Sequence, residues 1–161
     1  GVEDAQRRRV AEILAERDGE GINNGERSDI IALALDLIAD PRFALLFGPT
    51  SRAETSITGP VRLPNGASLN VSGTIDRIAI AEKEVIIGDY KTGVRPPRAD
   101  AVPRSIVAQL ALYRALVAPL YPDRRVRCLV IWTAGPLIHE LTDDALDAAL
   151  SEMAARPALV P

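Results

Sequence analysis

The sequence predicts an α/β fold in which a mixed, mostly antiparallel sheet is flanked by helices. Three observations carry that reading. Short stretches rich in Ile, Val and Thr alternate as strands do, and two of the connections between them are short enough only for hairpins, which forces antiparallel neighbours. Apolar residues at helical spacing stand before, between and after these strands.

Taken in order, Val10, Ile13 and Leu14 form one helical stripe. After the Gly- and Asn-rich break from Gly19 to Gly25, a second stripe of Ile30, Ile31, Ala34, Leu35 and Ile38 follows Ser28 as N-cap and stops at Asp40-Pro41. Phe43 to Phe47 is a short apolar turn. Ala53, Thr55 and Ile57 alternate as a strand, and Pro64-Asn65-Gly66 supplies a hairpin turn. Leu69 to Ile80 and Val85 to Lys91 are the two strongest strand signals, followed by a loop rich in Pro and Arg from Thr92 to Pro103. Ser105 to Val117 is a helix, Arg127 to Thr133 a β-branched strand, and Ala134-Gly135-Pro136 turns it into Leu137 to Leu141. Thr142 caps a last helix through Leu146, Leu150 and Met153, ended by Arg156-Pro157. The expected order is ααβββαββα in one domain over residues 1–161, with helices in 1–40, the sheet in 50–141 and the closing helix in 142–156.

At 161 residues, 47% hydrophobic and 25% charged, the chain is long enough to bury a core of its own. No apolar run approaches the roughly 18 residues of a membrane span, so no membrane partner is expected. The single cysteine, Cys128, cannot build an internal disulfide or a four-cysteine iron–sulfur cluster, which together with the lack of a basic-then-apolar leader points to a reducing, cytoplasmic setting. A net charge of −3 argues against a free-standing, strongly basic nucleic-acid binder. Contact with DNA would have to come from a local patch.

The chemistry concentrates in the two strands around Asp76 and Asp89. With a tight turn at Glu82-Lys83, or a loop from Ala81 to Glu84, Ile80 faces Val85, Ile78 faces Ile87, Asp76 faces Asp89 and Thr74 faces Lys91 on one side of the sheet. The other side pairs Ala79 with Ile86 and Ile75 with Tyr90. Directly opposed carboxylates lie about 5 Å apart at Cβ and destabilise a sheet unless a cation compensates. Two carboxylates, a peptide carbonyl and water make a hard-oxygen site suited to Mg²⁺ or Mn²⁺. Lys91 on the same face equips the site for phosphodiester hydrolysis: the ion activates water and the ammonium offsets charge in the transition state. Gln109 and Tyr113, one helical turn apart, can orient water, a carboxylate or a DNA backbone. Lys91, Arg95, Arg98 and Arg104, opposed within their segment by Asp100 alone, form a phosphate-attracting loop beside the carboxylates.

These residues stand in three ordered motifs: Gly73-Thr-Ile-Asp-Arg-Ile, Asp89-Tyr-Lys-Thr-Gly and Gln109-Leu-Ala-Leu-Tyr-Arg114. Their succession resembles the RecB-like branch of the PD-(D/E)XK nucleases. With Phe47-Gly-Pro-Thr-Ser-Arg-Ala-Glu54 upstream and Val130-Ile-Trp-Thr133 downstream, it is most similar to the C-terminal nuclease domain of AddA-type helicase–nucleases of double-strand-break repair. The resemblance spans roughly Pro41 to Leu150. It implies a restriction-endonuclease-like core and metal held by Asp76, Asp89 and the peptide carbonyl of Tyr90. It also implies a catalytic Lys91 and supporting roles for Gln109 and Tyr113, with DNA as substrate and an AddB-like partner subunit. Arg77, Arg95, Arg98 and Arg104 are candidate DNA contacts. The family places a further metal ligand, a histidine, on a preceding helix, whereas the one histidine here is His139. No phosphate loop of the Gly-x-x-x-x-Gly-Lys type is present, so ATP-driven unwinding would belong to sequence outside this chain, read as a fragment of a larger nucleoid-associated protein. A catalytically inactive nuclease-fold module for DNA binding or subunit docking is the alternative, and a small-molecule phosphatase a third.

Other conspicuous residues have plainer readings. His139 alternates with Leu137 and Leu141 as a partly buried structural histidine, and Cys128 reads as a small core residue. Trp132 reads as packing and Arg7-Arg8-Arg9 as a solvated helix face. Glu54 reads equally well as an exposed strand residue or as a neighbour of the site. Arg77 fits a salt bridge as well as a phosphate contact.

Overall fold

The computed structural model describes residues 4, 5, 8, 24–133 and 137–156. The stripe of Val10, Ile13 and Leu14, Arg7 and Arg9, and the turn at residues 134–136 lie outside them. Helix α1 (Asn24–Ala39) is followed by the single turn α2 (Ala44–Phe47), a hairpin of β1 (Ser51–Arg62) and β2 (Ser68–Ile80), and strand β3 (Glu84–Lys91). A 3₁₀ turn at Ala99–Ala101 leads into α3 (Arg104–Val117), then β4 (Arg125–Trp132), β5 (Leu137–Leu141) and α4 (Asp143–Ala155). The helix begins at Asn24, so Ser28 lies inside it rather than capping it. Ala34 and Ile38 form its buried stripe, against Phe47 and Tyr90.

The sheet runs β1-β2-β3-β4-β5, antiparallel except for the parallel contact of β3 with β4. That parallel pair needs a crossover, and α3 provides it. The β1–β2 turn closes as its residues dictate: Gly66 takes φ +85°, and the Asn65 carboxamide oxygen accepts from the Ala67 N–H at 3.0 Å. Thr142 caps α4 by accepting from the Ala145 N–H at 3.2 Å.

Two layers of core lie on the two faces of the sheet. Ile75, Ile78, Val85, Ile87, Val130 and Trp132 pack under α3 and α4 with Leu110, Val117 and Leu146. Ala79, Ile86, Leu129 and Ile131 pack against Phe43 and Leu46 on the other face. β3 and β4 are buried on both faces, so they read as continuous apolar runs. Cys128 and Trp132 lie in the first of these cores.

Candidate active site

The β2–β3 register is the one the hydrophobic pattern predicts for Ile80–Val85, Ala79–Ile86, Ile78–Ile87 and Arg77–Gly88, and there the ladder stops. Asp76 and Asp89, and Thr74 and Lys91, are therefore not ladder pairs. The Asp76 carboxylate instead accepts the main-chain N–H of Tyr90 at 2.8 Å, beyond the last ladder pair. A carboxylate that binds a peptide N–H at the point where two strands part need not face a second carboxylate across a closed ladder.

Alternation also breaks at this level. Ile75 shares the α3-side core with Ile78, and Gly73 faces Tyr113 of α3, whereas Arg77 and Ala79 belong to the opposite face. The expected pairing of Ile75 with Tyr90 on the far face is replaced accordingly, and Tyr90 packs toward α1 and α2. Strand β1 marks the same level with Glu54, a non-glycine residue at φ +48°, which interrupts the pairing between Ala53–Arg77 and Thr55–Ile75. The Glu54 side chain is exposed.

β3 aims the reactive groups at α3. Asp89 is 4% exposed, and Lys91 Nζ lies 2.8 Å from its Oδ2. Burying a carboxylate to this degree requires a cation or donors close by, and the ammonium two residues on meets that need. Lys91 Nζ also donates to Gln109 Oε1 at 3.4 Å, and Gln109 Nε2 donates to Tyr113 Oη at 3.3 Å. Gln109 thus spans the gap between the ammonium and a buried tyrosine. Thr133, which the sequence marks only as the end of a strand and of the run Val130-Ile-Trp-Thr133, fixes the other side of Lys91: its N–H and Oγ1 both donate to the Lys91 carbonyl, at 3.1 and 3.3 Å. Its signal was a polar residue ending an apolar strand.

The arginines divide. Arg77 donates from Nε to the Leu46 carbonyl at 2.8 Å and lies over the Phe47 ring, on the face away from Lys91. Through Nε it fastens α2 to the sheet. Arg98 forms a two-point pair with Asp100, and Arg104 lies 3.6 Å from Glu152. Arg95 is exposed and close enough to His139 to act on it electrostatically.

His139 is buried and accepts at Nδ1 from Trp132 Nε1 at 3.1 Å, a structural pair. Burial, and then Arg95, holds its imidazole below the ordinary histidine range. Burial pushes the Cys128 thiol up to about 12, which leaves it inert. Arg127 joins Glu140 and Glu84 across three strands and holds the Glu140 carboxyl below its usual value.

Among the described residues no group of three or more His, Cys, Asp or Glu side chains converges into a metal cage. The donors at hand are two carboxylates, Asp76 and Asp89, and nearby peptide carbonyls. A donor set of oxygens alone, without His or Cys, suits a hard cation rather than zinc. No described helix is long and apolar enough to cross a membrane.

A family model described as the PD-(D/E)XK nuclease superfamily matches residues 2–156. The chain is also similar to a solved structure described as the crystal structure of SSO0001, at 13% identity and a TM-score of 0.40, covering 91% of this chain and 87% of that one. No curated protein matches.

Proposed function

The chain belongs to the PD-(D/E)XK nuclease superfamily, a premise from which we propose that it hydrolyses DNA phosphodiesters at Asp76, Asp89 and Lys91 with a divalent cation. The five-stranded mixed sheet between helices is the restriction-endonuclease-like fold of that superfamily, whose members are generally metal-dependent nucleases. The observation that carries the residue assignment is the buried Asp89–Lys91 pair turned toward Gln109 and Tyr113.

Asp76, Asp89 and the peptide carbonyl of Tyr90 are the groups that would hold Mg²⁺ or Mn²⁺. Such an ion supplies polarisation of a phosphoryl oxygen and a more acidic water. Lys91, held from two sides, offers its ammonium to the oxygens on which charge grows as the phosphodiester is attacked. Gln109 keeps that ammonium from swinging away, because its carbonyl oxygen is turned to Lys91 while its amide nitrogen is engaged by Tyr113. Arg95 and the cations beyond it draw the DNA backbone toward the same end of the sheet.

A narrower placement is supported by the flanking runs Phe47 to Glu54 and Val130 to Thr133. It is the nuclease domain of an AddA-type helicase–exonuclease, acting in cytoplasmic, nucleoid-associated repair of double-strand breaks with an AddB-like subunit. ATP use would then lie outside this chain.

The test is incubation of the protein with labelled linear single- and double-stranded DNA in Mg²⁺, Mn²⁺ or EDTA, beside Lys91→Ala and Asp89→Ala. Metal-dependent cutting that both variants lose is the expected result. Cutting retained in both would overturn the site, and no metal effect on cutting or melting would favour an inactive docking module.

A further inference from the structure

We propose that Gly73 is a positioning residue for Lys91, acting through Tyr113 and Gln109; its link to catalysis rests on the nuclease reading above. Gly73 sits on β2 three residues before Asp76, on the face that looks at α3. A Cβ built there would lie 2.3 Å from Tyr113 Oη, 2.9 Å from Cζ and 3.0 Å from Cε1. No real Cβ tolerates such distances, so the bare backbone of Gly73 is the surface on which the phenol end of Tyr113 rests. The ring cannot yield cheaply. Tyr113 is 6% exposed and packed within the α3-side core, and an aromatic ring has only two torsions with which to move.

The consequence propagates along polar contacts already described. The seat at Gly73 sets where Tyr113 Oη stands, and Oη accepts from Gln109 Nε2. With its nitrogen engaged, the Gln109 amide turns Oε1 toward Lys91 Nζ. The donor-only ammonium selects Oε1, and the seat at Gly73 sets the place from which Oε1 reaches it. Without the tyrosine oxygen at that place, the amide loses its second anchor and the Oε1 that meets Lys91 Nζ is no longer fixed in position. Neither φ nor a turn explains this glycine; the close approach of helix to strand does.

The test uses Gly73→Ala, Tyr113→Phe, Tyr113→Ala and the double variant Gly73→Ala/Tyr113→Ala. Lys83 and Lys91 are the chain's two lysines, so with ¹³Cε-labelled lysine the NMR spectrum holds one reporter and one internal control. Gly73→Ala and Tyr113→Phe are expected to move the Lys91 Cε signal and leave Lys83 in place, at one fixed pH and without DNA. In the Tyr113→Ala background, which vacates the space, Gly73→Ala is expected to change nothing further, and Tyr113→Phe, which keeps the ring in the core, tests the same link where an alanine variant does not fold.

With DNA, Gly73→Ala is expected to lower kcat on the order of a hundredfold, the scale of an ångström-level misplacement, while KM stays within about threefold. A Lys91 signal unmoved by Tyr113→Phe, or a full Gly73→Ala effect persisting without the tyrosine ring, would overturn the proposal. Because these readouts need no cleavage, a wild-type protein that cuts no DNA would sink the nuclease reading and leave the seat at Gly73 to be judged by the spectra alone.

Discussion

At the scale of single residues, the site is defined by a carboxylate that the fold buries and an ammonium that makes the burial affordable. Removing only the ammonium exposes that dependence. Lys91→Ala leaves Asp89 in place, 4% exposed and without the Nζ at 2.8 Å. Losing one partner of a fully buried pair costs about 3–5 kcal/mol; the Lys91 side chain is 27% exposed, so water can replace part of the contact and about 2 kcal/mol is the better expectation. Urea denaturation at neutral pH checks it. Asp89→Asn/Lys91→Met, which removes both charges at similar volume, should recover most of that loss. Added Mg²⁺ should raise the melting temperature of Lys91→Ala more than that of the wild type, since a bound cation then takes over the compensation of Asp89. Equal stability of Lys91→Ala and the wild type would show that Asp89 does not depend on this ammonium.

At the scale of elements, the hairpin that carries Asp76 changes face halfway along, and the alternation of its side chains gives no sign of the change. The residues from Ile80 to Arg77 and from Val85 to Gly88 pair as their apolar alternation requires, because a one-residue slip would have turned Ile78 and Ile87 out of the core. Extending the same alternation to Asp76 assumes a strand without a kink. Glu54, at φ +48°, breaks that assumption, and nothing in the string Arg-Ala-Glu-Thr announces a left-handed residue as a glycine would. For the same reason Ile75 lies on the face opposite to the one its alternation predicts, whereas Gln109 and Tyr113, four apart on a regular helix, share one face as their spacing predicts. Arg77 was ambiguous because its partner is a main-chain carbonyl, which carries no sequence signature. The kink makes a prediction of its own. A left-handed L-residue costs about 1–2 kcal/mol, against about 0.5–1 kcal/mol of extra backbone entropy for glycine, so Glu54→Gly should stabilise the protein by about 0.5–1 kcal/mol. Glu54→Val, whose branched side chain resists that backbone, should destabilise it and speed hydrogen exchange at the Tyr90 amide, now held by Asp76. Loss of stability in Glu54→Gly would mean that the carboxylate, not the backbone, holds the hairpin in shape.

At the scale of the whole molecule, a nuclease of net charge −3 must gather its polyanionic substrate with few cations, and several of those are already spent inside the protein. Arg127 serves Glu84 and Glu140, Arg114 serves Asp143 and Asp147, and Arg77 is turned to Leu46. In the loop beyond Lys91, Arg98 is held by Asp100 through Nε at 3.0 Å and a terminal nitrogen at 2.8 Å. The pair is exposed, 76% and 65% at the two side chains, so it adds little to folding and its main effect is to mask a cation. Asp100→Asn tests this. The change takes the net charge from −3 to −2, should leave the unfolding free energy within about 0.5 kcal/mol, and frees the Arg98 guanidinium for a phosphate. DNA should then bind more tightly at low salt. The slope of log affinity against log salt should steepen by about 0.9 for duplex or 0.7 for single-stranded DNA, the increment of one released counterion. Fluorescence anisotropy with a labelled oligonucleotide between 50 and 200 mM salt, in Ca²⁺ or with the Lys91→Ala background to prevent cutting, would read it. An unchanged slope would remove Arg98 from the DNA path and leave Arg95, nearer His139 and β5, as the cation that sets how the backbone approaches Lys91.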